Sequence, residues 1–526
     1  MPFQSATSNA IVAECEVLNL TPPSKISTGV CFLDHMVDQL TSHGQLGVTL
    51  RCGTVGEADP AAAGKRSAPE PPTRYFAPSV DYATGRADRP HDRDIFVACG
   101  AALGKALRAV VDGVRQTADG PPQGALPGTA ALFCCPLDEA FAEVIVDLKP
   151  AAAERRGKCT VALEPYGTYA GSSTGRKWIG RFRTELTPLF WSALAEGLGG
   201  DLTLRRVRGA NAHHVLESTF KSFARAFRAA LDRLVDGRTH GCAEPGSTPP
   251  SRALIEPPPA PRKAERKRAT KETTIEVRVD LDGSYLPSDA PAGGEAAWTG
   301  DVMTATKLKA SVHETARVST GVGTLDQVLT AFAAAAGIEL IVHCEGDRHI
   351  DDHHTAEDVA ITLGQCLHEA LGDKAGLARM ACAYGAHGAA VVRAVLDLSN
   401  RPHFCSDLPL DEEYVGGLGD DDAYASAAST AGGVAAAASA GGPSPFDALC
   451  GGVLSCEMLF HVFDSLTIET RATCHLELIA DSGDRGHTLE LALAAASAYG
   501  AALARAIRVD PRRRGAVASS KGTLSK

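Results

Sequence analysis

Two stretches of this chain place a pair of histidines shortly before a glutamate, as HHVLE at 213–217 and as HHTAE at 353–357. On a helix, residues three or four apart share a face, whereas adjacent residues point about 100° apart. Each motif can therefore give one imidazole nitrogen to each of two metal ions and a carboxylate oxygen to one of them. A mixed imidazole and carboxylate set favours Mn, Fe, Zn or Ni over Ca or Mg.

The alternative for a single motif of this kind is a solvated helix N-terminus. Asp351 and Asp352 precede the second motif, where carboxylates stabilise the helix dipole. For one motif alone the two interpretations have about equal weight. A third, partial repeat, GHTLE at 486–490, makes chance a poor explanation and favours metal binding.

The motifs belong to a longer repeat. Four pairs of segments match between the halves of the chain: 26–40 with 318–332, 98–107 with 361–371, 138–148 with 388–398, and 213–227 with 486–500. We therefore predict a tandem repeat of one domain, with copy 1 at 1–240, a Pro-rich linker at 241–267 and copy 2 at 268–526. Stretches rich in Ala, Gly, Pro and Ser are assigned to surface insertions, at about 53–90, 284–316 and 417–448.

Local patterns predict the fold class. Apolar residues alternate in TIEVRVDL at 274–281, as in a strand, whereas ALGKALRAVV at 102–111 has helical spacing. A smaller repeat inside each copy combines strands, a helix and a final helix that opens with the HHxxE-type motif. We therefore predict an α+β fold of two tandem domains, each an internal duplication of a βαββ-type unit with helices on one face of a sheet.

Composition excludes several classes of protein. Lys and Arg total 52 and Asp and Glu total 63, so the net charge of −11 argues against nucleic acid or an anionic membrane as partner. The sequence contains no apolar run as long as a membrane span. The N-terminus, MPFQSATSNAIVAE, lacks a secretory signal. We predict a cytoplasmic protein, and the weak marking of transit peptides leaves a plastid location open.

Several segments resemble those of imidazoleglycerol-phosphate dehydratase, an enzyme of histidine biosynthesis. They include STGVCFLDHMVDQLTSHG, DDHHTAED, LDLSNRPHF, HHVLESTFKSFARAF and DPRRRGAVASSKGTL. The resemblance covers nearly the whole chain outside the linker and insertions. It implies a hydro-lyase that converts a small phosphate substrate, imidazoleglycerol phosphate, to imidazole-acetol phosphate. It also implies a homo-oligomer with two Mn²⁺ ions in each site between subunits.

Each copy departs from the family pattern, and the losses are complementary. The ligand positions kept in copy 1 are His35, His213, His214 and Glu217, and those kept in copy 2 are His353, His354, Glu357 and His475. The substitutions in copy 1 are Arg89, Pro90 and Arg93 at the first HHxxE motif and Thr203 at the strand histidine. In copy 2, Gln327 and Gly486 replace the counterparts of His35 and His213. Over both copies, every ligand position is filled once.

The resemblance assigns a role to each position that is kept. One metal ion would be held by His35, His213, Glu217 and His354, and the other by His214, His353, Glu357 and His475. Glu272 is the candidate for proton transfer, and His43 would line the substrate pocket. The expected phosphate ligands are Arg379, Arg401, Lys221, Ser519, Ser520 and Lys521. Copy 1 lacks both arginines, having Thr129 at one position and LKPAA (148–152) at the other.

Two functions fit this distribution. The first is an active manganese lyase with one composite site made from both copies. The second is a non-catalytic paralogue that serves as a structural or regulatory subunit of an intact dehydratase, an alternative that the Ala-rich helix LALAAASAYG keeps open.

Overall fold

The structure is a computed structural model, and its described residues form two compact units that divide between Cys242 and Ala243. The described residues are 3–19, 23–55, 73–78, 91–117, 130–148, 157–168, 171–236, 261–283, 311–313, 315–348, 350–416, 453–481, 483, 487–513, 516–517 and 524. The predicted insertion at 417–448 and most of the predicted linker therefore lie outside the described residues.

Unit 1 contains two main sheets with the same strand order. Its strands are β1 (Gln4–Ser8), β2 (Ile11–Asn19), β3 (Lys25–Ser27), β4 (Gly47–Val55), β5 (Thr73–Tyr75), β6 (Ala130–Leu137), β7 (Ala140–Asp147), β8 (Cys159–Ala162), β9 (Trp178–Ile179), β10 (Phe182–Arg183) and β11 (Asp201–Arg208). Its helices are α1 (Cys31–Gly44), α2 (Asp92–Thr117), α3 (Thr187–Leu198) and α4 (Ala212–Asp236). The sheets are β1-β2-β4-β3, with β5 on β4, and β6-β7-β11-β8, while β9 pairs with β10.

Unit 2 repeats this arrangement. Its strands are β12 (Lys263–Ala269), β13 (Thr273–Asp280), β14 (Ser311–His313), β15 (Ala316–Ser319), β16 (Glu339–Gly346), β17 (Met380–His387), β18 (Ala390–Asp397), β19 (His403–Ser406) and β20 (Thr473–Ala480). Its helices are α5 (Gly323–Ala336), α6 (His353–Leu371), α7 (Cys456–Glu469) and α8 (Thr488–Ala506). The sheets are β12-β13-β16-β15-β14 and β17-β18-β20-β19.

One supersecondary unit underlies all four main sheets. An antiparallel hairpin comes first, and its second strand pairs antiparallel with the last strand of the unit. The third strand pairs in parallel with the last, and a helix joins these two because parallel strands need a crossover. A second helix follows the last strand. Both units are therefore α+β domains with an internal duplication.

Helices cover one face of each sheet and meet the helices of the other half of the same unit. In unit 1, α1 packs on α4 and α2 on α3, whereas in unit 2, α5 packs on α8 and α6 on α7. The helix that opens with an HHxxE-type motif is always the one that follows the last strand of its sheet. Each motif is thus fixed at the end of a helix whose other face is buried in the core.

Strand register makes individual positions of the two units equivalent. Thr203 on β11 lies opposite Ile145, and His475 on β20 lies opposite Val395, which occupies the place of Ile145 in the second unit. Thr203 and His475 are therefore structurally equivalent, so unit 1 lacks the strand histidine of unit 2.

The basic end of the predicted linker is a strand instead. Residues 263–269 form β12, the edge strand of the first sheet of unit 2. The high charge of KAERKRA predicts a linker up to residue 267, but an edge strand tolerates charged side chains since one side of it has no neighbouring strand. Parts of two predicted insertions are also ordered strands, β5 within 53–90 and β14 within 284–316. No helix of the described part of the chain has the length and apolar character needed to cross a membrane.

Candidate metal centre

Three of the predicted ligands of one metal ion come together in unit 1. His35 lies in α1, and His213 and Glu217 lie in the first two turns of α4, which packs against α1. One Glu217 oxygen is 3.0 Å from Nε2 of His213 and 3.7 Å from Nε2 of His35. Among the described residues, these three form the group whose donor atoms all lie within 4.8 Å of one another.

The surroundings of Glu217 keep it ionised. Burial alone would raise its pKa, but hydrogen bonds with His213 and His35 and the charge of Lys221 lower the pKa well below the ordinary value. Lys221 Nζ lies 2.6 Å from the other carboxylate oxygen, and the lysine is only 4% exposed. Lys221, predicted as a phosphate ligand, thus contacts a predicted metal ligand directly.

His214, the second histidine of the motif, is oriented by a carboxylate. Its Nδ1 lies 2.8 Å from Glu139, which also accepts backbone N–H groups from Ala210 and Asn211. Burial opposes ionisation of Glu139, but the hydrogen bonds from His214 and Asn211 lower its pKa. A carboxylate on one ring nitrogen fixes the ring and leaves the other nitrogen as a metal donor. The ring therefore presents Nε2, which lies 3.9 Å from Asp138.

The first motif of unit 2 has the same construction at the start of α6. Nε2 of His353 lies 3.5 Å from Glu357, and Nδ1 of His354 lies 3.0 Å from Asp347. The hydrogen bond to Asp347 raises the pKa of His354, with a smaller contribution from the nearby charge of Glu272. Glu272 is exposed in the β12–β13 turn, and its carbonyl accepts the Asp347 amide at 3.0 Å. The proposed proton-transfer group thus lies beside a predicted ligand.

The other predicted residues of unit 2 that the structure describes lie in or beside its second sheet. His475 is fully buried on β20, with its ring 5.9 Å from that of His403. Arg379 is 7% exposed and donates two hydrogen bonds to Asp397, at 2.7 and 2.8 Å. Arg401 is half-buried in the turn before β19. Ser519, Ser520 and Lys521 lie outside the described residues, and His43 is buried in the last turn of α1.

The partial motif of unit 2 has become structural. His487, the counterpart of His214, lies 3.4 Å from Asp481, and both side chains are largely buried. Glu490, the counterpart of Glu217, accepts the Ala389 amide at 3.0 Å. Neither side chain is directed as it is in unit 1.

Each of the two orienting carboxylates has a counterpart without a carboxylate in the other unit. Ala389 stands in unit 2 where Glu139 stands in unit 1, at the equivalent hairpin turn. Val55 stands in unit 1 where Asp347 stands in unit 2, because both backbone amides bond to the equivalent turn carbonyls, at Ala10 and Glu272. Each carboxylate–histidine pair is thus complete in one copy only: unit 2 keeps His487 at the position of His214 without the carboxylate, and unit 1 has Pro90 at the position of His354. The motifs alone did not assign a role to Glu139 or Asp347, but alignment of the two copies contains this signal.

Comparison with known proteins gives the family. A family model described as imidazoleglycerol-phosphate dehydratase matches residues 89–227 and 320–430, one segment in each unit. The imidazoleglycerol-phosphate dehydratase of Pyricularia oryzae is 36% identical over 51% of this chain and 99% of its own length. The chain belongs to the imidazoleglycerol-phosphate dehydratase family. The dehydratase of Neurospora crassa is 36% identical over 51% of this chain and 97% of its own length, and that of Cereibacter sphaeroides 34% over 50% and 100%.

Each of these dehydratases aligns over almost its whole length with only about half of this chain. The two matched segments correspond to the two units, so the chain is a two-copy member of the dehydratase family. Each unit keeps a different part of the dehydratase motifs. Within unit 1, the donor atoms of His35, His213 and Glu217 lie within 4.8 Å of one another.

Proposed function

We propose that the chain is an imidazoleglycerol-phosphate dehydratase whose active site is a dinuclear manganese centre composed from both copies. The site takes His35, His213, His214 and Glu217 from copy 1 and His353, His354, Glu357 and His475 from copy 2. A homo-oligomer is the proposed assembly. The two copies that complete one site belong either to one chain or to neighbouring chains.

The pairing of carboxylates with histidines is the observation that supports this proposal most strongly. Glu139 orients His214 and Asp347 orients His354, and each pair is absent from the other copy. A paralogue without a site would have no need for these supporting contacts. Selection for a working centre explains why ligand and support persist together.

The donor set fits manganese. His35, His213 and Glu217 supply two imidazoles and a carboxylate at mutual distances that an ion could bridge, and Mn²⁺ accepts both ligand types. When bound, the metal would act as a Lewis acid that stabilises negative charge on the substrate imidazole.

The chain's own residues would carry out the remaining steps. Glu272 would take the proton from the middle carbon of the glycerol chain and help return a proton to the hydroxyl on the carbon beside the imidazole ring, which leaves as water. The enol product would then become the ketone of imidazole-acetol phosphate. Arg379, Arg401, Lys221 and the 519–521 segment would hold the phosphate through charge-assisted hydrogen bonds.

Metal content and turnover test the proposal together. Protein reconstituted with manganese should retain about two ions per chain and dehydrate imidazoleglycerol phosphate, since such a centre needs all of its ligands. His354→Ala alone and His214→Ala alone should each abolish turnover, because they damage the same site from different copies. Half of the wild-type activity in either variant would instead mean two independent sites.

His487→Gln is the matched control. His487 belongs to the partial motif and contacts Asp481, outside the proposed centre. Its replacement should leave metal content and turnover close to wild type. Folded wild-type protein that binds almost no manganese would support the non-catalytic paralogue and overturn the proposal.

A further inference from the structure

Lys374 is a buried lysine to which the predicted roles assign no function. It is 2% exposed in the loop between α6 and β17. Its Nζ donates to Asn400 Oδ1 at 2.6 Å and to the carbonyls of Thr470 and Arg471, both at 3.2 Å. These three acceptors match the three N–H donors of an ammonium group.

The contacts of Lys374 join the turn that carries Arg401 to the end of α7. The Asn400 amide donates to the Arg471 carbonyl at 3.0 Å, and Thr473 Oγ1 donates to the Arg401 carbonyl at 2.7 Å. The Arg401 amide in turn donates to Ser399 Oγ at 3.1 Å. The backbone on both sides of the Arg401 side chain is therefore fixed.

Burial of this lysine has a cost. Desolvation, with the nearby Arg379 and Arg471 and despite the favourable charge of Asp397, lowers the pKa of Lys374 to about 7. An apolar side chain would avoid that cost, so a purely packing role would not require a lysine here. The amine must be needed for what it holds in place.

Copy 1 has lost the whole arrangement. The strand pairs Ala130–Asp147 and Met380–Asp397 are equivalent, and counting along the sequence from them places Gly124, Pro150 and Ala151 at the positions of Lys374, Asn400 and Arg401. Lys374 and Asn400 are thus present in copy 2, which has Arg401, and are absent from copy 1, which lacks that arginine. We infer that Lys374 is a positioning residue that, through Asn400, fixes the Arg401 turn for binding of the substrate phosphate.

The inference rests on the proposed function, and steady-state kinetics test it. Lys374→Met should raise the KM for imidazoleglycerol phosphate about tenfold while kcat changes less than about twofold, because no bond to the phosphate forms or breaks in the reaction. The inhibition constant of inorganic phosphate should rise by a similar factor, and that of free imidazole should not change. A lysine that only stabilised the fold would not separate these two inhibitors.

Two substitutions of Asn400 keep the inference testable if Lys374→Met fails to fold. Asn400 has a φ of 59°, which glycine and aspartate both tolerate. Asn400→Gly removes the acceptor without backbone strain and should raise KM like Lys374→Met. Asn400→Asp retains an acceptor for Nζ and should leave KM near wild type. Equal values of KM in these two variants would overturn the inference.

The dehydratase activity of the wild type tests the proposed function separately from the role of Lys374. Wild-type protein without dehydratase activity would defeat the proposed function and leave phosphate binding to be measured directly. Inorganic phosphate should then still raise the melting temperature of wild type and Asn400→Asp more than that of Asn400→Gly. An equal rise in all three proteins would overturn the role of Lys374 and Asn400 independently.

Discussion

Nδ1 of His214 lies 2.8 Å from the carboxylate of Glu139, and the equivalent turn of unit 2 has Ala389 in place of that carboxylate. Hydrogen-bonded carboxylates of this kind set the orientation and basicity of a histidine ligand. In unit 2, without that carboxylate, the counterpart of His214 is His487, which contacts Asp481 instead.

Glu139→Gln should weaken manganese binding about 10- to 100-fold, because a neutral amide no longer stabilises the His214 ring as a ligand. The glutamine oxygen can still accept the backbone N–H groups of Ala210 and Asn211, so the turn should persist. Asp347→Asn should have a similar effect through His354. Titration of metal-free protein with Mn²⁺ gives the affinities.

Glu490→Gln is the matched control for these two variants. Glu490, the counterpart of Glu217, is a carboxylate of unit 2 that accepts the Ala389 amide and lies outside the proposed centre. Unchanged affinity in Glu490→Gln beside weakened affinity in Glu139→Gln is the expected pattern. Equal weakening in all three would mean that the effect is a general one of lost charge.

The cross-strand ion pair Arg393–Glu477 should contribute strongly to the stability of unit 2. Arg393 is 1% exposed, and its Nε lies 2.8 Å from Glu477. Arg393→Met removes the cation beside a buried carboxylate and should lower the free energy of unfolding by about 3–5 kcal/mol. The double variant Arg393→Met/Glu477→Leu should recover most of that loss. Urea unfolding followed by circular dichroism gives the values.

Unit 1 provides the comparison, since the same two positions carry the charges in reverse order, as Glu143 and Arg205. Arg205 is 46% exposed, so Arg205→Met should cost at most about 1 kcal/mol. A larger loss from Arg205→Met than from Arg393→Met would contradict burial as the deciding factor.

Asp326 should make stability depend on pH. Burial raises its pKa from 3.8 to about 6, even though Thr320 donates two hydrogen bonds to it. The folded state therefore binds more protons than the unfolded state between these values, so this contribution is complete below 3.8 and is lost as pH rises through 6. It amounts to at most about 3 kcal/mol.

Asp326→Asn isolates that contribution. The free energy of unfolding of wild type should increase relative to that of the variant as pH falls from about 7.5 to about 4. Denaturant unfolding at several pH values gives the comparison. A difference that is constant over this range would mean that Asp326 has the same pKa in both states.

Gly100 and Gly364 allow close helix packing at equivalent positions. A Cβ at Gly100 would lie 2.4 Å from the Phe190 carbonyl oxygen of α3, and one at Gly364 would lie 2.6 Å from Glu469 Cβ of α7. Gly→Ala at either position should lower stability by about 1–3 kcal/mol, despite the better helix propensity of alanine. Thermal unfolding of each variant tests this, and a higher melting temperature would refute the close contact.

The sequence predicted the duplication and the α+β class because these depend on local periodicity and on repeated segments. It also placed the HHxxE-type motifs at helix starts, as observed for His353 in α6 and His213 in α4. It misassigned β12 because the charge of an edge strand looks like that of a linker. Strand character there depends on pairing with β13, which no local pattern contains.

The sequence motifs did not predict the side-chain contacts that support the site. Glu139 reaches His214, and Lys374 reaches Asn400, only after sheet register has brought distant segments together. The contact between Lys221 and Glu217 could be predicted from the sequence, since residues four apart on a helix share a face. The family resemblance instead implied a phosphate-binding role for Lys221.

The contacts of His487 and Glu490 limit how this chain can evolve. Restoring histidine at position 486 would complete the sequence motif, yet Asp481 would still hold His487 and the Ala389 amide would still hold Glu490. Rebuilding the ligand set of copy 1 in copy 2 needs changes at 327, 389, 481 and 486, because Gln327 also replaces the counterpart of His35. If the proposed composite site is the working one, no single substitution makes copy 2 independent of copy 1.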